Sequence, residues 1–599
     1  MKLVIAEKPS VAKDIARELR ASKKELSYYV GNDYIVTWAI GHLVFLANPY
    51  EYDEKYKKWS FDHLPILPKE FKKTINSKTK VQFNVIKELI LNTNVNEIIC
   101  ATDAGREGQL IFSYIYDMIG TNIPVKRLWI SSLTSASITN GFNNLKDNRE
   151  FDNLKLSAEA RAETDWLYGM NYTELYSLRH GTTLRVGRVQ TPTLNLIVKR
   201  DDEIKNFKPE NYYELIANYD GLDTKLYINE ESKFKDKEKL ESLLNKVSPF
   251  GKVTKRDDIT SKKNPPLLYD LTSLQRDAND IYGFTASMTL DILQRLYENK
   301  KIVTYPRTDS RYLTDDMQDV AKLITTYIKE NYAEGSKFAE DNLNRGMNFK
   351  NTINNDKVSD HHAIIPTENI VNINNIELTN DENSLLKLII VRFLVAFSEP
   401  QTLSKTSIEI LNEGLVFKRN ITSIVDEGFN SILKVLLNSK TNSEYAEIPS
   451  SIFEGNNVRL LEKKIEEKVT TPKKYYTESS LLSVMENISK VVENEELKAY
   501  VKERGLGTPA TRANIIENLI KNNYVTRKNK FLHPTELGKK LIQNVSEEIK
   551  SPELTAKMEE KLKEIEDGKL NKQDFINDVK NKITKLISSN AEKAENFNG

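Results

Sequence analysis

The chain opens with an apolar block, Leu3-Val4-Ile5-Ala6, followed by Val11, Ile15 and Leu19 at helical spacing. A short apolar run reads as a buried strand, and apolar residues at i, i+4 and i+8 form one helix face. The pattern recurs at Glu97-Ile98-Ile99-Cys100-Ala101, ahead of Leu110, Ile111, Tyr114, Ile115 and Met118. Strand–turn–helix units of this kind predict a parallel sheet over the first 150 residues. Their polar turns belong at the carboxyl ends of the strands, where such sheets place their sites.

Further along, 151–210 reads as helical, with Ser157 to Tyr168 amphipathic. From Tyr212 to about Thr260 short β-like runs alternate with Gly and Asp, and Asn264-Pro265-Pro266 marks a boundary. Helices return over 267–377, with Gly283-Phe284-Thr285 as the turn of a helix–turn–helix and Thr285 as its N-cap. Residues 378–470 mix a helix (Leu385 to Phe397) with strands. The remainder is mostly helical, with Tyr524-Val525-Thr526 and Lys530-Phe531-Leu532 as a wing hairpin and a frayed tail at the end.

At 599 residues the chain needs several cores. Its net charge of +1 requires any nucleic-acid site to be a local basic groove. Cys100 is the only cysteine, which excludes an intrachain disulfide and a cysteine-built zinc cluster, and fits a reducing cytosol. The apolar stretch from Leu388 to Phe397 is interrupted by Arg392 and falls short of the ~18 residues a membrane helix needs. No G-x-x-x-x-G-K-[ST] occurs, so no P-loop ATPase module is expected.

Glu7-Lys8 follows the first strand, and Asp103-Ala104-Gly105-Arg106-Glu107-Gly108 follows the later one. On adjacent parallel strands these turns converge, bringing Glu7, Asp103 and Glu107 together beside Lys8 and Arg106. Hard carboxylate oxygens next to phosphate-binding cations suit Mg²⁺, which takes one or two carboxylates and keeps its waters. Two solvated turns would look the same individually. In Lys301-Ile302-Val303-Thr304-Tyr305-Pro306-Arg307-Thr308-Asp309-Ser310, a tyrosine precedes an arginine by two residues. Tyrosine is a poor nucleophile at its reference pKa of about 10. A nearby cation lowers the cost of ionising it and can hold a phosphate oxygen. Alone, Tyr305 is one of 27 tyrosines and reads equally as structural.

Asp360-His361-His362 supplies two of six histidines and reads as a cap or core pair as readily as a site. Val186-Gly187-Arg188-Val189-Gln190-Thr191-Pro192 is a donor-rich turn. Gly505-Leu506-Gly507-Thr508-Pro509-Ala510-Thr511-Arg512 opens a helix and is either a phosphate seat or a plain cap. Arg161, Trp166, Tyr168 and Tyr172 form either a base-stacking stripe or a buried helix face.

Taken in order, "IAEKPS", "ATDAGREG", "ARAETDWLYGMN", "VGRVQTPTL", "TYPRTDSRYL", "DHHAIIPT" and "GLGTPATRANII" resemble the topoisomerase III branch of the type IA DNA topoisomerases, from Met1 to about Pro534. The resemblance implies a multidomain α/β plus α+β fold closed into a torus. A Toprim domain would occupy 1–150, and a discontinuous winged-helix-like DNA-binding domain 151–210 and 471–590. A β-rich gate arch would occupy 211–266 and 378–470, a catalytic tyrosine domain 267–377, and a flexible tail 591–599.

It also implies an ATP-independent enzyme that cuts one strand through a 5′-phosphotyrosine, passes another and reseals the first, relaxing negative supercoils and unlinking DNA. Carried over by motif, Tyr305 is the nucleophile, Glu7 exchanges a proton with the 3′-oxygen, Lys8 and Arg307 hold the scissile phosphate, and His361 lies beside the tyrosine. Glu7, Asp103 and Glu107 would bind Mg²⁺. Arg161, Asp165, Arg188, Gln190, Ser310, Thr508, Thr511 and Arg512 would contact DNA. The implied partner is single-stranded or negatively supercoiled DNA, bound by a cytoplasmic monomer without membrane or ATP. Pro306 and the His361-His362 motif resemble topoisomerase III more than topoisomerase I, as does the absence of cysteine-rich zinc ribbons. One departure stands out: where many Toprim sites read Asp-x-Asp-x-Glu, Gly105 replaces the second Asp, removing one ligand. A Toprim-type nuclease or a single-strand DNA-binding protein is the alternative, and neither needs the Tyr-x-Arg cluster.

Overall fold

The computed structural model describes the chain apart from residues 93, 131, 132, 134, 359–360, 440–447, 491–497, 499–504 and 596–599. Near the N-terminus, the strand Lys2–Ala6 lies between Tyr34–Trp38 and Glu97–Ala101, parallel to both. Ala6 pairs with Ala101, so Glu7 and the Thr102-Asp103 turn leave the sheet side by side. The sheet has seven strands, with antiparallel pairings at its two edges. Leu3 and Ile5 pack on one face with Ile98 and Cys100, while Val4 and Ala6 pack on the other with Ile99 and Ala101. Burial on both faces explains why these strands read as apolar runs rather than alternations.

The 29-residue helix Asp152–His180 is the spine of the second unit. Arg106–Ile119 packs on it, as do Pro552–Glu566 and Lys572–Glu595 from the far end of the chain. Enclosed by both ends, it is not amphipathic in the expected sense. Between Ser157 and Tyr168 only Asp165 is exposed, with Arg161 and Ala162 half-buried. Trp166, Tyr168 and Tyr172 lie in the same core as Leu481, Ile516 and Leu562. The stacking-stripe reading is therefore overturned: these rings are packing. The expected wing is present as Val525–Lys528 paired with Phe531–Pro534.

Six strands form a closed barrel in the order Asn211–Tyr219, Leu222–Tyr227, Leu415–Asp426, Gln401–Asn412, Phe250–Lys263, Asn457–Val469. The helix Lys237–Lys246 interrupts what the sequence suggested was all β. In the tyrosine-bearing unit, Gly283 takes the left-handed conformation (φ 72°) and Thr285 accepts from the Met288 N–H, as the helix–turn–helix reading requires. Asn380–Ala396 and Asn430–Leu437, expected within the arch, pack instead in the core built on Leu268–Ile370. Asn380–Ala396 is buried on nearly all sides, and such a helix needs enclosure by other helices.

The chain passes from the second unit through the barrel to the tyrosine unit and back, and the tyrosine unit touches the first unit at Lys301–Asp14 and Tyr305–Asp103. The units thus close into a ring. The final helix runs to Glu595, so the expected tail at 591–599 starts as helix, and 596–599 lie outside the described residues. Among the described residues no helix is long and apolar enough to cross a membrane.

Candidate active site

Two distant motifs are laced together to present Tyr305. Lys301 takes a left-handed conformation (φ 57°) after the turn Leu296–Lys300. The Thr304 N–H donates to Ile365 O at 3.0 Å and its hydroxyl to Ala363 O at 3.1 Å. The Thr308 hydroxyl donates to His361 O at 2.9 Å. These bonds set the His361 ring against Tyr305 at 4.0 Å between centroids, with Tyr297 edge-on at 5.6 Å. Asp360 lies outside the described residues.

The Tyr305 hydroxyl donates to Asp103 Oδ2 at 2.5 Å, joining residues 202 positions apart. The Asp103 N–H donates to Glu7 Oε2 at 3.2 Å, and Lys8 Nζ lies 5.3 Å from the Tyr305 ring centre. Arg307 is exposed. The tyrosine, Glu7, Lys8, Asp103 and His361 therefore assemble as the motifs predict.

Burial raises the Tyr305 pKa well above its ordinary value, as do Asp103, Glu7 and the hydrogen bond to Asp103; only Arg307 opposes them. The expectation that Arg307 eases ionisation has the right sign but is outweighed. Glu7 is 8% exposed. Burial first, then the Asp103 charge, pushes its carboxyl up to about 7, against Lys8 and Arg307.

The three-carboxylate cluster does not form. Glu107 Oε1 accepts from His42 Nε2 at 2.6 Å, and that hydrogen bond is the main cause holding its pKa down. Asp103 is engaged by Tyr305. No group of three His, Cys, Asp or Glu gathers closely enough to hold a metal among the described residues. Gly105 is extended (φ 176°, ψ 177°), a conformation any residue adopts, and it is the N-cap of Arg106–Ile119 without a capping side chain.

Two residues that the sequence reading missed brace the acid turn. Arg127 is fully buried; it donates to the carbonyls of Cys100 (3.2 Å), Thr102 (2.7 Å), Leu128 (2.9 Å) and Asp103 (2.7 Å). Its sequence signal is slight, since Lys126 and Arg127 stand together just before the apolar run Leu128-Trp129-Ile130. Gly108 lets the following helix pass so close that an added Cβ would stand 2.1 Å from Asp103 O.

The residues expected to contact DNA are placed unevenly. Arg161 and Gln190 are half-buried, Asp165 and Thr508 exposed. Arg188 is not open to a strand: its side chain is 3% exposed, bound to Asp165 at 2.7 Å and Glu559 at 3.1 Å. Ser310 is buried and donates to Lys357 O at 2.8 Å. Arg512 is buried and bridges units, donating to Leu506 O and Thr272 Oγ1. Thr508 and Thr511 form a capping box, so the plain-cap reading describes their bonds here. Motif spacing could not reveal these burials, because the covering residues come from distant segments.

A family profile described as DNA topoisomerase matches residues 149–577, and one described as Toprim domain matches residues 2–133. Proteins named DNA topoisomerase 3 from Staphylococcus aureus strains MRSA252 and USA300 are each 40% identical over 591 residues, covering 96% of this chain and 80% of theirs. The solved full-length topoisomerase I of Thermotoga maritima aligns with a TM-score of 0.70 at 25% identity, covering 98% of this chain and 90% of that one.

The packing at Gly108 yields the first prediction. Gly108→Ala must push the Asp103 turn, and displacing a reacting group by 1 Å costs on the order of 10²-fold in rate. Oligonucleotide cleavage by the variant, measured beside its thermal unfolding, is expected to fall by that order with the fold intact. Cleavage at the parental rate would show that the turn tolerates the methyl group.

Proposed function

The chain belongs to the type IA DNA topoisomerase family, and on that premise we propose that Tyr305 is the residue that takes the broken strand. The observation that carries this is the Tyr305 hydroxyl resting on Asp103 across two units of the ring, with Glu7, Lys8 and His361 around it. In the proposed step the Tyr305 oxygen forms a bond to phosphorus and the bond to the 3′-oxygen breaks. Asp103 is positioned to receive the phenolic proton, and Glu7, whose carboxyl burial pushes up to about 7, is positioned to supply one to the 3′-oxygen. Lys8 and Arg307 offer cations to the phosphate, and His361 holds the ring plane. Exchanging one phosphodiester for another conserves bond energy, which supports a reaction without ATP. Reversal reseals the strand.

The acid turn supplies carboxylates of the kind that suits Mg²⁺, Asp103 just before the helix Arg106–Ile119 and Glu107 in its first turn, with Glu7 beside Asp103, although the three are not gathered around one point in this structure. Bound there, the ion would neutralise phosphate charge during the exchange. Asp103 would offer it Oδ1, the oxygen that does not accept from Tyr305, and Glu107 would have to exchange His42 for it. With no side chain at Gly105, binding would be weak.

The reading extends to relaxation of negative supercoils and unlinking of DNA, with single-stranded DNA preferred because cleavage needs one strand led to a half-buried tyrosine. One chain supplies every proposed group, which supports a monomer. The single cysteine supports a cytoplasmic setting.

Tyr305→Phe is expected to abolish cleavage and relaxation while leaving oligonucleotide affinity unchanged, since only the covalent step needs the hydroxyl. Relaxation by a clean preparation of this variant would refute the assignment.

Chelation should stop relaxation, ATP should not affect it, and half-maximal activity should need Mg²⁺ on the order of millimolar. Gly105→Asp, which fits the extended backbone and adds a helix cap, should lower that requirement. An equal or higher requirement in the folded variant would show that Gly105 does not leave a ligand position empty.

A further inference from the structure

Beside the acid turn, one carboxylate gathers arginines from two separate motifs. Glu559 lies on the late helix Pro552–Glu566. Its Oε1 accepts from Arg188 Nη1 at 3.1 Å and its Oε2 from Arg106 Nη1 at 3.3 Å. Glu566, from the same helix, approaches Arg106 Nε at 3.6 Å. Burial works to raise the Glu559 pKa, but Arg188, Arg161 and Arg106 outweigh it and hold the carboxyl below its usual range.

The position of this carboxylate is informative. Arg106 is the first residue of the helix Arg106–Ile119 and stands between Asp103 and Glu107. A helix start carries partial positive charge and favours anions. The Glu559 and Arg106 side chains are 24% and 30% exposed, whereas Arg188 is sealed behind them at 3%. The carboxylate is thus an anion with two oxygens spread over two guanidiniums, open to solvent on one side. A phosphodiester presents the same charge and the same pair of acceptors, and arginine forks match it well.

We propose that Arg106 and Arg188 form a seat for one backbone phosphate of the bound strand, and that Glu559 fills this seat in the free protein and yields it when a strand enters. This rests on the strand-binding reading above. Its consequence is that a strand must displace Glu559 and its helix to reach Arg188, so the free protein discriminates against weak or poorly placed strands next to the acid turn.

The test uses the full chain carrying Tyr305→Phe, without Mg²⁺, and a labelled oligothymidylate followed by fluorescence anisotropy. Adding Glu559→Gln should tighten binding roughly tenfold, the scale of coupling between competing contacts. Glu547→Gln removes an equal charge from a side chain that is 90% exposed and paired with Lys550; it should change affinity less than about twofold. Adding Arg106→Gln to Glu559→Gln should erase the gain. Equal gains from Glu559→Gln and Glu547→Gln, or a gain that survives Arg106→Gln, would overturn the proposal. If Glu559→Gln does not fold, Glu559→Asp withdraws the carboxylate by one methylene; it must then bind more tightly than the parent, and no gain overturns the proposal. Failure of the parent to bind the oligonucleotide would sink the strand-binding reading instead.

Discussion

The hydrogen bond from Tyr305 to Asp103 is the joint on which the rest of this structure depends. It links the tyrosine unit to the sheet that carries the acids, and so closes the ring. Each side is prepared separately. The register of Lys2–Ala6 with Glu97–Ala101 brings Glu7 next to Asp103, Arg127 ties down the carbonyls of the turn, and Gly108 makes room for it. On the other side, the lacing of 304–308 to 361–365 fixes the phenol and its His361 partner.

This joint also couples chemistry to shape. Burial of the phenol, and then the negative charge of Asp103 and Glu7 beside it, keep Tyr305 protonated well above its ordinary range despite Arg307. In the proposed reaction the oxygen becomes an ester and can no longer donate. The unit boundary then keeps the ion pair of Lys301 with Asp14 at 2.7 Å, in which Lys301 is 39% exposed. Pairs of that kind contribute about 0–1 kcal/mol. Making the covalent bond would thus free Asp103 and remove one of the fastenings between the tyrosine unit and the sheet, while the bonds of Thr272 with Arg512 and of Ala286 with Glu478 still hold that unit to the second one.

Much of this was legible in the sequence. Apolar runs and helical spacing located the central strands, and the convergence of Glu7 with Asp103 followed from adjacent parallel strands. Thr285 capped as its residue type suggests. What escaped were features set by distant segments. Trp166, Tyr168 and Tyr172 look like a surface stripe until Pro552–Glu566 and Lys572–Glu595 cover their helix. Arg188 looks like a free donor until Glu559, 371 positions away, pairs with it. Glu107 was placed correctly along the chain, but local spacing could not foresee His42 as its partner. Arg127 ends the strand Val125–Arg127 beside another cation, Lys126, and only the fold shows the carbonyls it gathers.

Mapping the covalent intermediate shows whether Tyr305 carries the strand. Single-stranded DNA labelled on the 3′ side of the break is cleaved with Mg²⁺, trapped by denaturant, digested with protease and sequenced by mass spectrometry. One modified peptide is expected, containing Tyr305 joined to a 5′-phosphate, with a free 3′-hydroxyl on the other fragment. A modification on another residue, a 3′-phosphate linkage, or cleavage without any protein adduct would contradict it.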